Sequence, residues 1–217
     1  IEAMRRAYRD RAIYLGDPDY TDIPLAMLTS PDYMAGQRVS VRADRATPSD
    51  TLAGIAGDGS DGTQTTHFSI LDKDGNRVAA TITVNTWYGS GFIAPGTGVI
   101  LNNEMDDFSI KPGVPNEFDL IGDEANSVAP GKRPLSSMTP SFLESDDGLA
   151  IVGTPGGSRI ITMVLLAALD WHSGATATDM VSMKRFHHQY LPDVVNYEPG
   201  AFTDSELSEL AAMGHRL

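Results

Sequence analysis

The sequence predicts a mixed α+β fold, and three stretches carry that prediction. Residues 2 to 14 are good helix formers, with Gly16 placed to stop them. Thr66 to Leu71 and Val78 to Val84 are β-rich and flank Asp72-Lys73-Asp74-Gly75-Asn76, a strong hairpin signal. Leu149 to Val152 reads as a buried strand that runs through Pro155-Gly156-Gly157 into Ser158 to Leu169, an apolar helix capped by Ser158.

The remaining segments fill in around these. Pro24, Pro31 and Pro48 punctuate shorter pieces of the first third. Residues 58–64 are polar and Gly-rich with no apolar periodicity, which reads as an exposed, mobile linker. Gly89-Ser90-Gly91 and Gly96-Thr97-Gly98 lead to an apolar strand at Val99-Ile100-Leu101, then to a Pro/Gly/Asn loop from Lys111 to Asn116. Thr176 to Lys184 and Thr203 to Met213 are helix candidates, the second with a capping box at Thr203 and Glu206. No internal repeat is present.

Composition narrows the function classes. A length of 217 residues fits one large domain or two small ones, and 41% hydrophobic with 21% charged residues is ordinary globular usage. Sixteen Lys+Arg against twenty-nine Asp+Glu give a formal net charge of -13, which repels phosphate backbones and anionic lipid surfaces and argues against nucleic acid as a partner. The absence of Cys removes disulfides, Cys-based zinc sites and thiol nucleophiles. No apolar run is long enough to span a bilayer, and the amphipathic opening Ile1 to Tyr8 does not read as a signal peptide. An opening in mid-helix without an initiator Met leads us to expect further sequence upstream.

Single motifs leave alternatives open. His187-His188 point apart on one element and lack a third ligand at a telling spacing, so no metal site is expected. The two Gly-rich segments lack the Lys-Ser/Thr of a phosphate loop and read better as tight turns. Glu104, Asp106 and Asp107, beside Asn102-Asn103, are either a solvated loop or binding groups at a strand end. The turn Pro155-Gly156-Gly157-Ser158 is either an ordinary strand-to-helix connection or an oxyanion site. Glycine admits close backbone approach, and a helix N-terminus presents N–H groups and a partial positive charge.

Several long motifs, taken together, are more specific. They are Gly62-Thr63-Gln64-Thr65-Thr66-His67-Phe68-Ser69, Leu101-Asn102-Asn103-Glu104-Met105-Asp106-Asp107-Phe108, Lys132-Arg133-Pro134-Leu135-Ser136-Ser137-Met138-Thr139-Pro140, Gly153-Thr154-Pro155-Gly156-Gly157-Ser158-Arg159-Ile160, and Arg185 to Pro192. In order and spacing they resemble γ-glutamyltranspeptidases along essentially the whole chain. The resemblance implies an N-terminal nucleophile hydrolase, with a partial four-layer αββα sandwich.

It also implies that the chain cuts itself at Gln64-Thr65. Residues 1–64 then correspond to the C-terminal part of a large subunit, and residues 65–217 to a small catalytic subunit truncated at its C-terminus. Thr65 becomes the nucleophile, with its own α-amine as base, and Thr83 matches the family's second active-site threonine. Gly156 and Gly157 match the oxyanion-hole glycines. Asn85, Glu104 and Asp107 match the binders of the substrate's α-ammonium, and Ser136 and Ser137 match those of its carboxylate.

The loop from Lys111 to Gly122 resembles the bacterial lid, with Phe118 at the position of its gating aromatic. The resemblance implies no cofactor and no metal. Its implied partners are a γ-glutamyl substrate such as glutathione, an amino acid, peptide or water acceptor, and the remainder of the large subunit in a heterodimer. It places the protein in the periplasm or outside the cell. Two departures stand: the upstream Arg that clamps the carboxylate has no counterpart in this chain, and some members carry Gln where this chain has Glu104. A related β-lactam side-chain acylase and an unprocessed, non-catalytic homologue are the competing expectations.

Overall fold

The computed structural model describes residues 1–52, 65–146 and 148–217. The linker at 58–64, and Gln64 with it, lies outside the described residues. In chain order the elements are α1 (Glu2–Tyr14), α2 (Leu25–Leu28), α3 (Pro31–Val39), β1 (Thr65–Leu71), β2 (Arg77–Thr83), β3 (Ser141–Ser145), β4 (Gly148–Val152), α4 (Ile160–His172), α5 (Ala177–Ser182), β5 (Phe186–His187), β6 (Asn196–Tyr197) and α6 (Asp204–Ala212). The strands form three two-stranded antiparallel sheets among the described residues, β1–β2, β3–β4 and β5–β6. The α+β class is therefore the observed one.

The chain gathers into two compact units. The first uses the described residues of Ile1–Ser60, Met105–Leu135 and Phe186–Leu217; the second uses those of Asp61–Glu104 and Ser136–Arg185. Both units draw on segments far apart in sequence, so neither is made only of residues 1–64 or only of residues 65–217.

In the first unit, α1 buries Met4, Tyr8 and Ala12, spaced four apart on one face. The Tyr8 ring meets His187 edge-on, with centroids 5.5 Å apart. Gly16 does not cap this helix as expected. The chain leaves through Leu15 in an extended conformation, and a Cβ on Gly16 would lie 2.0 Å from the Ala125 carbonyl oxygen. Glycine is required there by close approach of a distant backbone. Arg133 reaches back to Asp17, donating from its backbone N–H at 2.8 Å and its Nε at 3.0 Å. These bonds hold the Asp17 carboxyl well below its ordinary range.

Arg5 is 1% exposed, and α1 carries it into a polar cluster. It donates to Ser49 Oγ at 2.7 Å and to Asp193 Oδ1. Asp193 also accepts from the Ser49 N–H at 2.7 Å and pairs with His188 Nε2 at 3.0 Å. Burial alone raises the Asp193 pKa. The bonds from His188 and Ser49 and the charge of Arg5 outweigh it and hold the carboxyl well below its usual value. His188, 0% exposed, is pushed down by burial against the opposing pull of Asp193. His215 Nδ1, 3.4 Å from Arg5, is lowered by burial and then by the Arg5 charge.

In the second unit, Asp72 organises the hairpin turn: its Oδ1 accepts from the Asp74 N–H at 2.9 Å and the Asn76 N–H at 2.8 Å, and Gly75 has φ 86°. The polar face of the hairpin meets β4, where Ser69 Oγ donates to the Ile151 carbonyl at 3.1 Å. The other face leaves Phe68, Ile70, Val78 and Ile82 exposed.

Two expectations are corrected here. The first concerns Ser158, which does not cap the apolar helix. Gly157–Arg159 form a 3₁₀ turn and α4 begins at Ile160 without a side-chain cap. The glycine pair forces a tight entry, so Ser158 is buried within the turn. The second concerns Val99 to Leu101, which form no strand. Ile100 makes one isolated bridge with Ile93, and all three side chains are exposed. The Gly-rich segments before them are tight turns as read, with Gly89, Gly91, Gly96 and Gly98 at positive φ. The Thr203–Glu206 capping box is present, and a second joins Thr176 and Asp179.

The Arg5 cluster gives the fold a pH dependence of definite sign. Folded His188 and His215 stay neutral where the unfolded chain takes up protons, below about pH 6.5. Stability therefore falls as pH drops from about 6.5 toward their folded values. Asp193 adds a loss of the same sign below its ordinary 3.8. Glu2, which also faces Arg5, is lowered as well. Urea midpoints measured from pH 7.5 down to 5 should decline, and His188→Gln should flatten the decline.

Candidate active site

The antiparallel register sets Thr65, the first residue of β1, opposite Thr83, the last of β2. Thr65 Oγ1 donates to Thr83 Oγ1 at 3.1 Å, and the Asn85 N–H donates to the same oxygen at 2.8 Å. Asn85 is 3% exposed and sits at φ 76°, a left-handed turn that Asn tolerates better than most residues. Its Nδ2 donates to the Asn103 carbonyl at 2.9 Å, while the Asn103 N–H donates to Val84 O at 3.1 Å. These bonds tie residues 102–104 to the end of β2 and leave the Asn85 amide oxygen as its acceptor end.

Glu104 continues that path, with its N–H on Asn102 Oδ1 at 3.0 Å. Its Oε1 is buried with no hydrogen-bond partner, and burial pushes its pKa up. A carboxylate oxygen shielded from water with no donor beside it is unfavourable, and an incoming ammonium would satisfy it. Asp107 closes the same 3₁₀ turn, Glu104–Asp107, but belongs to the other compact unit. There its carbonyl accepts from Asn126 Nδ2 at 2.7 Å and its charge acts on Arg11.

Gly156 has φ 145° and Gly157 φ 57°, and both belong to the turn that enters α4. Ser136 Oγ accepts from the Met138 N–H at 3.1 Å, and the Ser137 carbonyl accepts from Thr139 Oγ1 at 2.9 Å. These bonds hold both serines in their own loop, in the unit that contains Thr65. Phe118 lies in the other unit, buried in a hydrogen-bonded turn: its N–H donates to Asn116 Oδ1 at 3.0 Å and its carbonyl accepts from Gln189 Nε2 at 2.9 Å. His187 Nε2 pairs with Gln189 and His188 with Asp193, and no cluster suited to a metal ion occurs among the described residues.

Sequence reasoning assigned no role to His67, which lies on the same strand face as Thr65. Its Nδ1 is 2.8 Å from Thr81 Oγ1 and its Nε2 3.1 Å from Ser69 Oγ; burial pushes its pKa down, toward the neutral ring. The signal was the period-two spacing from Thr65. Gly153 backs the ring so closely that a Cβ there would lie 2.2 Å from it. A cavity of about 590 Å³ in this unit lies between β4 and the helices, lined by Ile151, Met163, Trp171 and Met180 among others. Neither Thr65 nor Thr83 lines it.

All of residues 1–217 match the family described as Gamma-glutamyltranspeptidase. The chain belongs to that family. It is 46% identical to the glutathione hydrolase proenzyme of Pseudomonas sp. (strain A14) over 100% of this chain and 38% of that protein. For the glutathione hydrolase proenzyme of Escherichia coli (strain K12) the identity is 44%, over 100% and 37%. Among solved structures, a mutant of the Helicobacter pylori γ-glutamyltranspeptidase superposes with a TM-score of 0.67 at 44% identity, covering 70% of this chain and 82% of that one. The chain thus spans well under half the length of the curated relatives named here, and its α+β fold is that of the solved members.

The contact between Gly153 and His67 makes a sharp test. Gly153→Ala should lower stability by about 1–3 kcal/mol through overpacking against a ring held between two hydroxyls. Gly148→Ala, at the start of β4 with nothing within 4 Å of its Cβ, should change it by less than about 0.5 kcal/mol. Urea denaturation of the two variants decides the matter.

Proposed function

We propose that this chain carries the self-processing and nucleophilic part of a γ-glutamyl transferase and hydrolase acting on glutathione and similar γ-glutamyl amides. The observation that carries the reading is the hydroxyl pair, Thr65 Oγ1 on Thr83 Oγ1 at 3.1 Å. In the uncut chain the Thr65 nitrogen is an amide and accepts no proton. Cleavage of Gln64-Thr65 would turn it into an α-amine with a pKa of about 7.7 to 8.0, a base attached to the nucleophile itself. Residues 1–64 and 65–217 would then be parts of the two subunits of a heterodimer, with an extracytoplasmic location expected from the family.

In this mechanism Thr65 Oγ1 attacks the γ-carbonyl carbon while its proton passes to the α-amine. The oxyanion would be held by the backbone N–H groups of Gly156 and Gly157. The leaving amine takes the proton, which leaves a γ-glutamyl-Thr65 ester, and an amino acid, a peptide or water then accepts the acyl group. Glu104, Asp107 and the Asn85 oxygen would receive the substrate's ammonium; Ser136 and Ser137 would receive its carboxylate. Phe118 would belong to the covering loop. The buried, unpaired Glu104 oxygen favours a substrate bearing an ammonium over the acyl groups of the β-lactam acylases, which lack one.

Intact mass and N-terminal sequencing of the protein are expected to find a fragment beginning at Thr65, and Thr65→Ala should abolish both the cut and turnover. A single uncut chain with wild-type Thr65 would sink the proposal. Glu104→Ala and Asp107→Ala should still be cut, with the Michaelis constant for a γ-glutamyl anilide raised about 10- to 100-fold by loss of a charged hydrogen bond. An unchanged constant would remove that residue from the ammonium site.

A further inference from the structure

The Arg5 cluster joins residues on opposite sides of Thr65. From the upstream side come Arg5 and Ser49; from the downstream side come His188, Asp193 and His215. One carboxylate serves both sides: Asp193 Oδ1 accepts from Arg5 and from His188 Nε2, and Asp193 Oδ2 accepts from the Ser49 N–H. The Tyr190 N–H donates to His188 Nδ1 at 3.1 Å, which leaves the ring proton on Nε2, where it points at Asp193. Other ties cross in the same sense, from the Ala46 N–H to the Met213 carbonyl at 2.7 Å, from the Tyr190 hydroxyl to the Leu52 carbonyl at 3.4 Å, and from the Arg133 N–H to Asp17 Oδ2 at 2.8 Å, but Arg133 is largely exposed whereas Arg5 is buried.

We propose that the buried Arg5–Asp193 pair, braced by Ser49 and His188, is the joint that keeps the two products of the Gln64-Thr65 cut associated, so that each product is the other's binding partner. This rests on the reading that the chain is cut there. Once that bond is gone, only non-covalent contacts of this kind link the upstream segment of the first unit to its downstream segment. The pair is suited to the task because it is conditional on both products. Arg5 is 1% exposed, and its other carboxylate neighbour, Glu2 at 3.4 Å, lies on the upstream side with it, so losing Asp193 leaves a buried guanidinium without its downstream counter-ion, a larger penalty than losing a surface pair. The joint therefore discriminates strongly against separation even where its net contribution to folding is small.

The test makes the cut independently of self-processing. In the full protein carrying Thr65→Ala, residues 58–62 are replaced by a specific protease site and the chain is cut with that protease. One product is held by an affinity tag, and the rate at which the other leaves is followed by mass spectrometry. Arg5→Met and Asp193→Asn should each speed release at least tenfold. The double variant should be no more than twofold faster than the faster single one, because the two substitutions break one interaction.

Release within twofold of the unsubstituted cut protein, or single effects that multiply in the double variant, would overturn the proposal. If an uncut variant loses its native circular dichroism, Arg5→Lys, which keeps the charge but cannot reach both Ser49 and Asp193, is read by the same criterion. Absence of a Thr65 N-terminus in the unmodified protein counts against the proposed function. The release rates judge the joint separately.

Discussion

A one-residue slip in the pairing of β1 with β2 would carry every side chain of one strand to the opposite face of the hairpin. The register that sets Thr65 across from Thr83 is therefore the constraint on which the rest of the site depends. It brings two hydroxyls to 3.1 Å and places His67 and Ser69 on the same polar face as Thr65. It also positions Asn85, just beyond the strand, to bond both Thr83 and Asn103. The turn that secures the register is local: Asp72 accepts from two downstream N–H groups, and Gly75 supplies the positive φ.

The site inverts the ordinary logic of a hairpin. Its polar face packs on β4, while Phe68, Ile70 and Ile82 remain exposed. Hydroxyls and an imidazole are held in mutual contact at the face where a core would normally be built, and Glu104 is held with a buried oxygen that no protein group satisfies. Such features cost stability. They are consistent with the membership of the γ-glutamyltranspeptidase family that the whole-chain match establishes.

The two compact units solve different problems. The second supplies a register and a glycine-lined helix entrance; the first is sewn together from three segments by buried polar contacts. Asp17 with Arg133, Phe118 with Gln189, and Arg5 with Asp193 each join residues far apart in the chain. Buried hydrogen-bonded groups of this kind tolerate few alternative partners, because every mispairing leaves an uncompensated polar atom. A unit built this way has a unique arrangement even with a modest apolar core.

The sequence by itself determined whatever depends on neighbours three to five residues away. It showed the span of α1, the Asp72 turn, the Thr203–Glu206 capping box and the tight turns at Gly89 to Gly98, because caps, turns and helical periodicity act within one or two turns of chain. The long motifs also revealed the family, and with it Thr65 and Thr83 as a pair. Tertiary structure alone decided what rests on distant partners. Gly16 answers to Ala125, Gly153 to the ring of His67, and Arg5 to Asp193. Val99 to Leu101 read as a strand, but the few backbone bonds they make to residues 90–94 amount to a single isolated bridge, Ile93 with Ile100. Neither a close backbone approach nor a buried ion pair leaves a periodic trace in the sequence, since its energy depends on the group that arrives from elsewhere in the fold.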